Sequence, residues 1–176
     1  MVLAKGSMPR RRERRGEDLE AAIRLDPNYE PAWGLLAWIN MVDIWNHFTG
    51  EWDMSRIDAV AGQFRHAIEL APNRAKPYQG LSQAVLTMGD LEQALKLSCR
   101  AIELAPSDPD CLLFHAVTLF ESGDLSGAAK SIESALELHP MRPSYYSCPT
   151  IARGHAGRSI GMVYRTKRSA GHLVGI

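Results

Sequence analysis

Cys111 and His115 have the strongest chemical character in this chain. They lie four residues apart, a spacing that sets a thiol and an imidazole on one face of a helix and could grip a metal ion. Two ligands are too few, because zinc takes four protein ligands, or three and a water. No metal is therefore expected, and His115 is read as a part-buried, hydrogen-bonded side chain. Asp108 and Asp110 form an acid pair at a helix start, where the helix dipole favours carboxylates, so capping explains them better than acid–base work. No glycine-rich phosphate loop follows a strand, because no convincing strand exists. The expectation is a chain with no catalytic residues, no cofactor and no small-molecule substrate.

The tryptophans are the second group. Trp33, Trp38, Trp45 and Trp52 fall within twenty residues, with Phe48 among them. Trp33 sits where a helix should bury a large residue. Trp38 falls five residues later, on another side of the same helix. Trp45 and Trp52 lie in or near an insertion, Ile44 to Met54. Two readings are open: a loop that packs its own aromatics, or an aromatic hot spot for a partner.

The elements that must position these residues repeat. Pro72–Leu104 and Pro106–Leu138 are offset by 34 residues, and Pro140 falls 34 after Pro106. In the first unit Tyr78, Leu81, Val85 and Met88 mark one face of a helix. Gly89-Asp90 breaks it. Leu91, Ala94, Leu95, Ala101, Ile102 and Leu104 then mark a second helix, closed before Pro106. The next unit repeats this with Leu112, Ala116 and Leu119, a break at Gly123-Asp124, and Leu125, Ala128, Ile132, Ala135 and Leu138. The small residues mark places where two helices approach closely. An earlier unit runs from Pro27 to Pro72 and carries 11 extra residues, IWNHFTGEWDM. Its first helix starts near Pro31 and its second covers about Ser55–Leu70. Asp18–Leu25 reads as the end of a further second helix whose partner is missing.

This pattern resembles the tetratricopeptide repeat (TPR), a helical hairpin that stacks into a superhelix. Tyr78, Leu81, Ser82, Ala94, Ala101 and Pro106 match one unit, and Leu112, Ala116, Ala128, Ile132, Ala135 and Pro140 the next. Ser98 and His115 depart from it, each standing where the repeat wants a bulky apolar residue. The resemblance implies an all-α, TPR-type α–α superhelix of about three hairpins, right-handed. Its units are about 27–71 with the insert, 72–105 and 106–139, within a TPR domain over 18–140. It also implies a protein–protein interaction scaffold, with a concave groove lined by the first helix of each hairpin. Carried over residue by residue, the groove should present Trp38 and Met41, then Lys76, Gln79, Gln83 and Leu86, then Leu113, Val117 and Phe120. Pro31, Gly34, Val42, Thr87, Asp110 and Glu121 fall at the same register. TPR proteins that clamp a peptide carboxylate need Lys, Asn and Arg at several such places, and only Lys76 qualifies. An amphipathic helix or extended apolar peptide is the expected partner.

The block AAIRLDPNYEPAWGLLAWINMVDIW with its aromatic insert resembles one TPR subclass. It is similar to the C-terminal repeats of bacterial proteins that carry a class III adenylate/guanylate cyclase domain or a winged-helix DNA-binding domain. That implies a regulatory or assembly fragment whose effector domain is absent.

The net charge of zero hides a partition. Residues 1–15 carry six Lys/Arg and one Glu, residues 16–140 eight Lys/Arg against nineteen Asp/Glu, and residues 141–176 six Lys/Arg and no acid. The expectation is a basic disordered arm over 1–17 and a basic, Gly-rich, poorly ordered tail over 141–176. Pro149 would break the first helix of a further repeat. The tail either exposes the last repeat's apolar face, which would favour a homodimer, or is out-of-frame sequence. A basic arm without groove-reading elements does not argue for nucleic acid. No apolar run approaches the roughly 18 residues of a membrane span and no secretory signal is visible. Cys99, Cys111 and Cys148 form no CxxC, which fits a reducing cytosol.

Overall fold

The structure is a computed structural model, and it describes residues 7–46 and 53–139. Among them are α-helices only: α1 (Ser7–Leu25), α2 (Glu30–Asn46), α3 (Met54–Leu70), α4 (Ala75–Thr87), α5 (Leu91–Leu104), α6 (Pro109–Glu121) and α7 (Leu125–Leu138). Consecutive helices pack against one another from α1 to α7. In addition α2 touches α4 and α4 touches α6. The hairpins α2/α3, α4/α5 and α6/α7 therefore stack with their first helices side by side along one wall. This is the all-α TPR superhelix that the period implied.

The period works through two turns, each made repeatedly. Inside a hairpin the first helix ends on a glycine with positive φ, Gly89 (91°) and Gly123 (87°), a conformation an L side chain resists. Gly89 N–H donates to Leu86 O and Asp90 N–H to Val85 O; Gly123 and Asp124 repeat this on Phe120 and Leu119. This paired closure satisfies the last carbonyls of the helix. The aspartate then caps the next helix: Asp90 accepts from Gln93 N–H at 3.0 Å and Asp124 from Gly127 N–H at 2.8 Å. Between hairpins the chain turns at Ala71 and Ala105 with nearly the same backbone angles, each N–H still bonded into the preceding helix. After the second of these turns Asp108 caps α6, accepting from Asp110 and Cys111 N–H.

Small residues set the spacing. Ala84, Ala94, Ala116, Ala128 and Ala135 are fully buried, and Ala101 nearly so. One close approach is between α3 and α4, where a Cβ on Gly80 would lie 2.2 Å from the Phe64 ring. Two clusters form the core. One joins α2, α3 and α4 around Met41, Ile44, Ile57, Phe64 and Val85. The other joins α6 and α7 around Leu113, Val117, Ile132 and Ala135. Trp38 and Trp45 pack against both.

Two elements differ from the sequence reading. The run SMPRRRERRG, expected as part of a basic arm, is helical from Ser7 onward and continuous with Asp18–Leu25. Arg and Glu are strong helix formers, and a charged run with no Gly or Pro between Arg10 and Arg15 has nothing to stop it. The insert is not wholly a loop either. α2 has 17 residues where α4 and α6 have 13, so Ile44, Trp45 and Asn46 extend the first helix by about a turn. Phe48 and Trp52, and the tail 141–176, lie outside the described residues.

Candidate functional site

α2 is apolar on two sides. Leu36, Ala37, Met41 and Ile44 face the core and are buried. Leu35, Trp38, Val42 and Trp45, spaced by three, four and three residues, form a second stripe along the same helix. That stripe lines an open groove of about 740 Å³. Pro31 and Gly34 belong to the same wall, and Pro77, Gln79 and Phe114 stand among the opposing residues. Leu35 is 45 % exposed, high for a leucine in a packed array. Trp38 forms the groove's inner end. Its ring lies 5.2 Å from Phe114 on α6, 5.8 Å from Phe64 on α3 and 6.2 Å from Trp45, centroid to centroid. The Trp38–Phe114 contact ties the first hairpin directly to the third, so the superhelix is tightly wound here.

Charged residues gather where α2, α4 and α6 begin. Lys76 Nζ donates to Asp108 Oδ1 at 2.8 Å and to Asp110 Oδ2 at 3.0 Å. Burial would lower the Lys76 ammonium, but the two aspartates outweigh it and hold it above its ordinary value. Asp108 is held below the usual carboxylate range: its burial is overcome by Lys76 and by the backbone N–H groups of Cys111 and Asp110. Arg74 Nε lies 3.2 Å from Glu30 Oε2. Glu30 is itself buried, and that burial raises its carboxyl above the ordinary value against the pull of Arg74.

The structure brings three of the expected groove residues to the opening: Trp38, Lys76 and Gln79. Even there only Trp38 is free to offer a side-chain face. Gln79 is 3 % exposed, donates to Asp110 O and accepts from Cys111 Sγ. Gln83, also buried, donates to Phe114 O and Thr118 Oγ1. Met41, Leu113 and Val117 are fully buried. Leu86 and Phe120 are half-buried and away from the opening. These positions depart from the expectation in two ways: Gln79 and Gln83 form the seam between α4 and α6, while Met41, Leu113 and Val117 fill the core clusters. Leu35 was missed, and Trp45 was read as part of an aromatic cluster in the insert, not as a residue of the groove helix. Leu35 falls outside the groove register of the repeat, and Trp45 reads as loop until α2 is known to run on. The 3–4–3 spacing from Leu35 to Trp45 was the available signal.

Cys111 and His115 turn to different neighbours. Cys111 Sγ turns to Gln79 on α4, while His115 Nδ1 meets Ser98 Oγ on α5 at 2.9 Å. Ser98 and His115, the two departures from the repeat pattern, are therefore each other's partners. Burial pushes the Cys111 thiol up to about 12 and lowers the His115 imidazole, Asp124 opposing the latter. No group of three metal-ligating side chains exists among the described residues. Trp33 is not central core: its Nε1–H donates to Pro27 O at 2.9 Å and its ring meets His66 edge-on. No helix among the described residues is long and apolar enough to cross a membrane.

Comparison with known proteins defines the class. The tetratricopeptide repeat model matches residues 75–108, the α4/α5 hairpin and the turn after it. Among solved structures, the thermophilic TPR protein TTC0263 of Thermus thermophilus superposes with a TM-score of 0.63 at 15% identity, over 78% of this chain and 70% of that one. MamA gives 0.57 at 14% identity, over 98% of this chain and all of that one. Cut9–Hcn1, from the APC/C hetero-tetramer, gives 0.65 at 20% identity, over 87% of this chain but 28% of that one. At these identities the likeness is one of fold: the chain folds as a TPR protein. The sequence matches no curated protein.

Proposed function

We propose that this chain is a non-catalytic interaction module that holds an apolar helix or extended peptide of a partner protein in the groove along α2. The observation that carries this is the stripe Leu35, Trp38, Val42 and Trp45, which lines an open cleft although the opposite side of the same helix already serves the core. A helix needs one apolar side to fold into an array. A second, with Leu35 exposed and Trp38, Val42 and Trp45 only partly covered, suits a partner's apolar side chains. The lysine that a carboxylate clamp would use is already held by Asp108 and Asp110. An effector domain of the cyclase or winged-helix kind has only the sequence block around LDPNYEPAW in its favour, and a homodimer only the expected exposed end.

The test is selection of peptides from a random display library on the full chain, followed by titration into variants. Leu35→Gln keeps size and helix propensity and removes apolar surface only from the groove. It should weaken a selected peptide about five- to thirtyfold, the worth of one to two kcal/mol of apolar burial, without shifting the unfolding midpoint. Unchanged affinity would place binding elsewhere.

A further inference from the structure

We infer that the groove favours partners carrying a lysine or arginine beside their apolar residues, and that Glu30 receives that cation. This rests on the groove being a peptide site. Three carboxylates line it, Glu30, Asp108 and Asp110, against two cations, Arg74 and Lys76. Lys76 is held by both aspartates, which leaves Arg74 alone to answer Glu30.

Glu30 is placed as a receptor. Its side chain is 9 % exposed. It folds over Gly34, where a Cβ would sit 3.4 Å from Oε1 and 4.0 Å from Pro77 Cγ, so the carboxyl rests on the groove wall. Oε2 accepts no hydrogen bond among the described residues, because Arg74 Nε at 3.2 Å stands off the hydrogen-bond line. Arg74 is 62 % exposed and can move outward. A buried carboxylate without full hydrogen bonding costs stability, and the raised carboxyl of Glu30 agrees with that sign. The groove thus keeps a buried carboxylate oxygen with an unfilled acceptor position. The indoles of Trp38 and Trp45 line the same cleft, and an indole face attracts a guanidinium. An acidic partner would meet Glu30, Asp108 and Asp110, with Arg74 engaged by Glu30 and Lys76 by the two aspartates.

Three synthetic 12-residue peptide pools test this on the full chain. They have matched apolar content and one residue fixed as Arg, Gln or Glu. Fluorescence anisotropy should rank them Arg, Gln, Glu, with the Arg pool about tenfold tighter than the Gln pool, as expected for a charge-assisted hydrogen bond. Glu30→Gln should abolish that preference and leave the Gln pool unchanged. Arg74→Gln, which frees Glu30, should enlarge the preference, so the result does not depend on one variant folding. Equal binding of the three pools, or a preference that survives Glu30→Gln, would overturn the inference and leave the groove reading standing. If no pool binds either the wild-type chain or a full chain with Arg142, Arg153 and Arg158 changed to Gln, the groove reading falls and this falls with it. The chain's own basic tail is the rival occupant. If the wild-type chain binds no pool while a full chain with Arg142, Arg153 and Arg158 changed to Gln binds the Arg pool, the tail fills the groove and the external partner is refuted.

Discussion

Gly80 and Gly62 lie on neighbouring helices, and alanine at the two should act with opposite signs. A Cβ on Gly80 would sit 2.2, 2.3 and 2.8 Å from three carbons of the Phe64 ring. Carbon atoms pack at about 3.5–4.0 Å, so the ring and α4 must separate by about an ångström. Phe64 is fully buried and lies edge-on to Trp38, so the ring has no free direction. Overpacking of this kind costs ~1–3 kcal/mol, while alanine for glycine inside a helix returns up to ~1 kcal/mol. The clash wins, and Gly80→Ala should lose about 1–2 kcal/mol net. A Cβ on Gly62, in the middle of α3, meets nothing within 4 Å. There only the propensity term operates, and Gly62→Ala should gain ~0.5–1 kcal/mol. Urea unfolding of the full chain at matched slope reads both as midpoint shifts. Two variants with midpoints on opposite sides of wild type fit the account. A Gly80→Ala that stabilises as much as Gly62→Ala would refute the tight α3–α4 joint, and with it the placement of α4 across the groove from α2.

Other consequences are as direct. Trp38→Ala should destabilise the fold by about 2–4 kcal/mol as well as weaken binding, because the ring joins both core clusters; a denaturation midpoint near wild type would contradict the Trp38–Phe114 link. His115 has a folded-state pKa below its ordinary value, so its neutral form is the one the fold holds. Its share of stability is complete above about pH 6.5 and falls as the pH drops below that, where the unfolded chain takes up the proton first. His115→Gln should flatten the dependence below about pH 6.5. Among the described cysteines, Cys99 is exposed and Cys111 buried with its thiol pushed up to about 12. Alkylation at neutral pH should modify Cys99 quickly and Cys111 only on unfolding, as peptide mass mapping will show.

The hairpins α4/α5 and α6/α7 were legible because their signals are local. Gly89-Asp90 and Gly123-Asp124 close one helix and cap the next with no help from distant residues. The site was less legible because it depends on how tightly the hairpins wind. Trp38 could be placed on the concave side from its register alone. Met41, Leu113 and Val117 share that register yet fill the core clusters, Gln79 and Gln83 bond across to α6, and Trp38 reaches Phe114 two hairpins away. No spacing within one unit carries that contact. The pairing of Ser98 with His115 is similar: each looks like a defect in its own repeat, and only the packing of α5 on α6 makes them complementary.

The most direct measurement is calorimetric titration of a library-selected peptide into Gly34→Leu. Gly34 is on the groove wall, and a Cβ there meets Glu30 Oε1 at 3.4 Å and Pro77 Cγ at 4.0 Å, so a leucine's further atoms would occupy the cleft. The account predicts that the variant keeps its fold and loses the peptide by at least about tenfold, the 1.4 kcal/mol equivalent of one blocked apolar contact. Wild-type affinity in a folded Gly34→Leu chain would contradict it, and would move the interaction surface off the α2 groove.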